Sequence, residues 1–288
     1  MEPFFKYLTT ATEDVDWGIY LNSAGNINVL PNSEYPSKAH PSGYYFTWEQ
    51  GRKLQEYQLN YITGGEGILE NEFGTFAVKA GSLLVTFPGV WHRYKPLKQK
   101  GWNENYIGFN GNVVDLLMQH PQFTPKSPVI LTGEREEILD CFLKIFELVT
   151  YDQPGFQQIV SGLIVKLLGY LVAFEKQKEF SGKRIAEVIE AARFQMRKAV
   201  DRNFGIVKFA EENNIGYSYF RRMFKSYTGL SPRQYCLQLK IMRAKELLLS
   251  TDLSVKEISY RLGFESIHYF SRLFKNKTGS GPSEFRCR

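Results

Sequence analysis

The sequence predicts a two-domain α+β protein: an N-terminal β barrel or jelly roll followed by helices, then an all-α C-terminal domain in which a linker helix joins two helix-turn-helix units. Three observations predict it. Short apolar runs, broken every eight to twelve residues by Gly, Pro or Asn, give way near residue 133 to helical spacing. A segment within the last eighty residues recurs fifty residues further on. Charge also divides unevenly: residues 181–288 hold 21 Lys and Arg against 10 Asp and Glu, whereas residues 1–180 hold 15 against 20. A basic domain joined to a mildly acidic one points to a polyanionic partner for the C-terminal part alone.

In the β region, about 18–110, strands are expected at Gly43–Trp48, Tyr57–Thr63, Thr75–Val78, Ser82–Phe87 and Asn105–Phe109, with turns at Gly74 and Pro88-Gly89. From about 133 to 178, Ile138, Leu139, Phe142, Ile145, Phe146 and Leu148 recur at helical spacing, as do Ile159, Leu163, Leu167 and Leu171; Gln153-Pro154-Gly155 parts the two helices. The charged stretch Lys176–Lys183 reads as a soft linker, which sets the domains at 1–180 and 183–288. No unbroken run of 18 apolar residues occurs, so no membrane span or membrane partner is expected. The early acids of the N-terminus do not form a secretory signal, and the expected compartment is the cytoplasm. Cys141, Cys236 and Cys287 are odd in number and widely spaced, which fits reduced thiols.

The repeat aligns Tyr219-Phe-Arg-Arg-Met-Phe-Lys-Ser-Tyr-Thr-Gly229 with Tyr269-Phe-Ser-Arg-Leu-Phe-Lys-Asn-Lys-Thr-Gly279, and Pro232 with Pro282. A short helix and a tight turn precede each copy, which makes two helix-turn-helix units, about 206–228 and 255–278. Helical spacing turns Phe220, Met223 and Phe224 inward in the first second-helix, and Phe270, Leu273 and Phe274 in the other. Ser218, Arg221, Arg222 and Lys225 are left outside in the first, and Ile267, His268, Ser271, Arg272 and Lys275 in the second. Arginines in such positions reach guanine O6 and N7, serine donates or accepts, and Ile267 suits a thymine methyl. Lys225 and Lys275, a turn further on, suit phosphates. Between the units, Ser231 with Pro232 and Gln234 opens a helix, and Ser254 with Glu257 opens the next. The partner these features imply is double-stranded DNA.

Residues 183–288 resemble the DNA-binding domain of the AraC/XylS family of bacterial transcription regulators. The most specific stretch is Ala244-Lys-Glu-Leu-Leu-Leu-Ser-Thr-Asp-Leu-Ser-Val-Lys-Glu-Ile258, continuing through Arg261-Leu-Gly-Phe264 to Tyr269-Phe and Phe274-Lys. The resemblance implies base contacts at Ser218, Arg221, Arg222, Ile267, His268, Ser271 and Arg272. Two departures stand out: Gly216 replaces a usual Ser N-cap, and Ser280-Gly281 replaces Leu-Ser.

In that family the N-terminal β domain resembles a cupin-like sensor followed by dimerisation helices. Gly65-Glu-Gly67, Gly81-Ser-Leu-Leu84, Phe87–Tyr94 and Gly101–Phe109 carry this part of the likeness. It implies a small-molecule effector, most simply a carbohydrate, a homodimer formed through residues 135–175, and contact with RNA polymerase. Candidate ligand contacts are Trp91, Tyr94, Trp102 and Tyr106 for stacking, and Arg52, His92, Arg93 and Glu104 for hydroxyls. A metal cupin needs a His-x-His pair with further ligands. The β region has only His40 and His92, so no metal, other cofactor or catalytic residue is expected and the chain does not read as an enzyme. Two other readings stay open: a constitutive regulator whose N-terminal domain only dimerises, and a cupin enzyme fused to a DNA-binding tail.

Overall fold

The computed structural model describes residues 4–36 and 44–287; His40 and Gly43 lie outside the described residues. The chain forms two compact units, Met1–Glu175 and Lys176–Arg288.

Unit 1 is antiparallel throughout. One sheet runs β1 (Phe4–Tyr7), β2 (Tyr20–Val29), β8 (Trp102–Asn110), β4 (Tyr57–Asn71), β6 (Ser82–Thr86), β9 (Val129–Leu131). The far half of β4 belongs to a second sheet, between β5 (Gly74–Lys79) and β7 (Trp91–Pro96), with the short β3 (Arg52–Lys53) on β7. The change of sheet falls at Gly64-Gly65: β4 pairs β8 as far as Gly65 and β5 from Glu66 onward. Gly65 has φ +87°, and a Cβ there would stand 2.0 Å from the Gly101 carbonyl oxygen, so glycine alone fits this bend.

Strand alternation sorts the residues of the first sheet. Leu59 and Tyr61 of β4 and Ile107 and Phe109 of β8 lie on its outer face, beneath α3 (Glu136–Tyr151) and α4 (Phe156–Phe180), where Ile138, Phe142, Ile145, Val160, Ile164 and Leu167 complete the largest core. Ile62, Trp102 and Val29 face the second sheet and meet Leu69, Val78 and Tyr94 in a smaller core between the sheets. The short helices α1 (Thr12–Trp17) and α2 (Asn112–Leu117) flank β2 and β8.

Two expectations need correction. Residues 44–48 are loop and turn where a strand was expected. Their carbonyls are taken by side chains where a ladder would otherwise take them: Arg52 donates to the Tyr44 carbonyl and Arg93 to that of Trp48. The stretch Lys176–Phe180 is helical, continuing α4, because Lys, Gln and Glu are good helix formers; only Ser181-Gly182 break the chain. Helix α4 is long and apolar enough by composition to cross a bilayer, a test that the core helix of a soluble protein also passes. Ser161, Gly162, Lys166 and Gly169 interrupt the apolar run and hid this from a search for unbroken stretches. Within unit 1 one face of α4 is core, carrying Val160, Ile164, Leu167, Leu168 and Leu171.

Unit 2 holds α5 (Arg184–Lys198), α6 (Ile206–Glu212), α7 (Tyr217–Thr228), α8 (Pro232–Ser250), α9 (Val255–Arg261), α10 (Ile267–Thr278) and α11 (Pro282–Arg286). It has two separate cores. Phe180, Ile189, Met196, Phe209, Phe220 and Phe224 build one; Ile241, Leu248, Ile258, Phe264, Phe270 and Phe274 build the other. The α6–α7 and α9–α10 pairs fall where the two helix-turn-helix units were expected, with α8 between them. Ser231 and Ser254 cap α8 and α9 in capping boxes closed by Gln234 and Glu257.

Candidate nucleic-acid interface and effector cavity

In unit 2 the burial of Phe220, Met223 and Phe224 fixes which face of α7 is free, and Phe270 and Phe274 do the same for α10. Ser218, Arg221, Arg222 and Lys225 are exposed, as are His268, Arg272 and Lys275, while Ile267 and Ser271 are half-buried at the rim. Among the described residues none of these cations has a carboxylate within 4.0 Å, so their charge is available to a polyanion. The Arg222 guanidinium lies 5.5 Å from the centroid of the Tyr219 ring, an arrangement that props it outward without spending its donors. The starts of the two helices differ. Ser266 Oγ accepts from the Tyr269 backbone N–H at 3.3 Å and caps α10, whereas Gly216 gives α7 no side-chain cap. Helix α8 has 19 residues, which at the ordinary rise spans about 28 Å.

In unit 1, polar residues from five elements converge between the sheets. A cavity of about 20 Å³ is lined by Tyr7 of β1, Tyr35, Tyr44 and Phe46 of the loops, Arg52 of β3, Gln58 of β4, Tyr94 of β7, and Glu104 and Tyr106 of β8. Arg52 is the hub. It donates to Tyr94 Oη at 2.6 Å, to Gln58 Oε1 at 3.2 Å and to His92 Nε2 at 3.3 Å. Burial, and then the Arg52 charge, push His92 down to about 3, so the imidazole is neutral and serves Arg52 as an acceptor.

Two carboxylates flank this hub. Glu104 accepts from Asn60 Nδ2 at 2.7 Å and from Tyr35 Oη at 3.0 Å. Glu56 accepts from Gln58 Nε2 at 2.9 Å, and from Ser23 and Tyr44 hydroxyls at 3.0 Å each. Burial raises both carboxyls above their ordinary range. Asn60 Oδ1 is buried with no hydrogen-bond partner. A polar interior of this kind is costly as mere filling.

Of the eight residues the sequence offered for ligand contact, Arg52, Tyr94, Glu104 and Tyr106 line the cavity. His92 stands behind Arg52, and Trp102 packs edge-on against Tyr35, with ring centroids 5.7 Å apart. Trp91 and Arg93 do not reach it. They alternate with His92 and Tyr94 along β7 and so point to the opposite face. There Arg93 pairs with Glu70 at 2.6 Å, and Trp91 Nε1 donates to the Gln50 carbonyl. Tyr7, Tyr35, Tyr44, Glu56, Gln58 and Asn60 escaped the sequence reading. A signal existed in Glu56-Tyr57-Gln58-Leu59-Asn60-Tyr61, where polar and apolar residues alternate; the polar set faces the interior, and the apolar set the helices. Among the described residues no group of three His, Cys, Asp or Glu is placed to hold a metal.

Two family models match the chain: an AraC-like ligand binding domain over residues 31–168 and a helix-turn-helix domain over residues 209–288. The chain is 25% identical over 266 residues to the Msm operon regulatory protein of Streptococcus mutans, covering 89% of this chain and 92% of that one. It is 24% identical to the arabinose operon regulatory protein of Escherichia coli, with 81% of each chain covered. Among solved structures, the C-terminal domain of AraT, a response regulator from Geobacillus stearothermophilus, is similar at 32% identity over 36% of this chain and 87% of that one, with a TM-score of 0.34.

Proposed function

This chain belongs to the AraC/XylS family and is a DNA-binding transcription regulator with a small-molecule-binding domain, and we propose that its effector is an uncharged polyhydroxy compound, a sugar, received between the sheets of unit 1. The observation that carries this reading is the polar cavity itself. Hydroxyls of Tyr7, Tyr35, Tyr44 and Tyr94, the Arg52 guanidinium and the Glu104 carboxylate offer donors and acceptors around an aromatic wall. Glu56 and Glu104 set two carboxyl groups against the single Arg52 guanidinium, and carboxyl groups already hard to ionise there disfavour an anionic ligand. A relative named for an arabinose operon supports the same class. A sugar ring exceeds the 20 Å³ present, so tyrosine side chains must give way on binding.

All four tryptophans (Trp17, Trp48, Trp91 and Trp102) lie in unit 1, so fluorescence reports on this unit alone. Titration with neutral pentoses and hexoses, and with the matching sugar acids, tests the proposal. A neutral sugar should shift both the emission and the melting temperature, and the acids should not. The smallness of the cavity favours a second reading, in which unit 1 only dimerises; that reading predicts no response to any of them.

For unit 2 the proposed contacts are Ser218, Arg221 and Arg222 with bases and Lys225 with phosphate in one half-site, and Ile267, His268, Ser271 and Arg272 with bases and Lys275 with phosphate in the other. The exposure of all but Ile267 and Ser271, which sit half-buried at the rim, and the unpaired charge of the cations support this assignment. The homodimer is assigned to the α3–α4 surface, where Leu143, Ile159 and Val165 are 46%, 57% and 41% exposed, an uncovered apolar area on the helices already named for that role. Regulation then follows if the effector binds the free and operator-bound forms with different affinity, which calorimetry measures. Contact with RNA polymerase and a cytoplasmic location complete the reading.

A further inference from the structure

The two helix-turn-helix units of unit 2 share no core residue. The first packs on Tyr235, Cys236 and Leu239 of α8 and the second on Ile241, Ala244, Leu247 and Leu248, so one helix serves both. Beside α8 the units are separated by a cleft of about 440 Å³, with Met196 and Phe204 on one side, Phe264 and Tyr269 on the other, and Lys240 on the helix. Packing along α8 resists sliding, but only a contact away from its axis resists one unit twisting against the other.

Such a contact exists, and it is polar. The loop between α5 and α6, tied to the first unit's core by Phe204, presents Asp201 and Asn203. Asn203 Oδ1 accepts from Lys240 Nζ at 2.9 Å, and that ammonium also lies 5.3 Å from the Phe264 ring centroid in the second unit. Lys240 is only 8% exposed, so its charge depends on these neighbours. Asp201 lies 4.0 Å from Arg243 of α8 and 4.0 Å from Arg261 of α9. Gly263, at φ +69°, lets the second unit's turn come this near: a Cβ there would stand 3.1 Å from Asn203 Oδ1 and 3.3 Å from Lys240 Nζ.

We propose that Asp201, Asn203 and Lys240 form a clasp that fixes the twist between the two reading heads, and so sets the spacing of half-sites that one chain accepts. They are positioning residues and touch no base. The inference rests on the reading that α7 and α10 occupy two half-sites. Adding one base pair between these turns the second groove by about a tenth of a helical turn. A clasped pair must strain to follow, whereas an unclasped pair follows by twisting about α8.

The test uses the full chain and duplexes carrying both half-sites with the spacer shortened or lengthened by one base pair, together with duplexes carrying either half-site alone. Wild type should lose about tenfold in affinity or more when the spacer changes, a difference of about 1.4 kcal/mol. Asn203→Ala, at an exposed loop position that endangers no core, should reduce that loss to about threefold or less while leaving single half-site affinity unchanged. Asn203→Asp, which gives Lys240 a charged partner, should retain the wild-type spacing preference. An Asn203→Ala variant that discriminates between spacers as sharply as wild type would overturn the clasp. A wild type indifferent to spacing would overturn it as well. If Arg222→Ala and Arg272→Ala do not act on separate half-sites, it is the underlying two-site reading that fails.

Discussion

Phe220 and Phe224 stand in the first helix-turn-helix unit where Phe270 and Phe274 stand in the second, with ring centroids 5.5 and 5.8 Å apart. Thr228 and Thr278 each donate to the phenylalanine carbonyl four residues back, at 2.8 and 2.9 Å, and each helix ends on a left-handed glycine, Gly229 or Gly279. Away from this skeleton the units part company. The first turn passes through Asn214 at φ 56° and reaches an uncapped helix at Gly216; the second passes through Gly263 and reaches Ser266, which caps α10. The outer face carries paired arginines in one unit and Ile267, His268 and a single arginine in the other. What recurs is what each unit needs to fold, and what varies is the face proposed to meet the groove.

The largest expected effects are on stability. Phe220→Ala and Phe270→Ala should each cost about 3–5 kcal/mol, since both rings are fully buried. Denaturant unfolding followed by circular dichroism measures this, and a gap between the two above about 2 kcal/mol would show the skeletons to be unequal. Next come the reading faces. Arg222→Ala and Arg272→Ala should each cost about 1–3 kcal/mol and relax base preference in one half-site only. The larger loss of affinity belongs to the first unit, where Arg221 stands beside Arg222. Lys225→Ala should weaken binding evenly across sequences and reduce the salt slope by about one, as read from affinities at several salt concentrations. Smallest are the caps. Ser266→Ala should destabilise by about 0.5–2 kcal/mol, while Gly216→Ser should stabilise by only a few tenths; equal and opposite shifts in thermal melting would refute the asymmetry.

The two units also show how far residues speak for structure. The repeat at fifty residues, the capping boxes at Ser231 and Ser254 and the apolar stripes of α7 and α10 are local patterns, and each became the element it implied. In unit 1 the broken apolar runs marked β4, β5, β6 and β8, but the strand expected at 43–48 is loop and turn over 44–48, β1, β2, β3, β7 and β9 went unmarked, and the cavity was not legible at all. Its lining comes from β1, β2, β3, β4, β7, β8 and the connection between β2 and β3, and nothing local marks Tyr7 or Glu56 as neighbours of Arg52. Polar residues on a strand ordinarily face water; here Gln58, Asn60 and Glu104 face a second sheet. Trp91 and Arg93 were misplaced for the same reason: parity separates them from His92 and Tyr94, but which parity faces inward depends on strands distant in sequence.

Two unequal heads should read two half-sites from one chain. Selection of binding sites from a random duplex library, run in parallel on wild type, Arg222→Ala and Arg272→Ala, tests that directly. Two different half-sites about one helical turn apart are predicted, with Arg222→Ala flattening base preference in one and Arg272→Ala in the other. A single recovered half-site, or two variants that flatten the same positions, would contradict it.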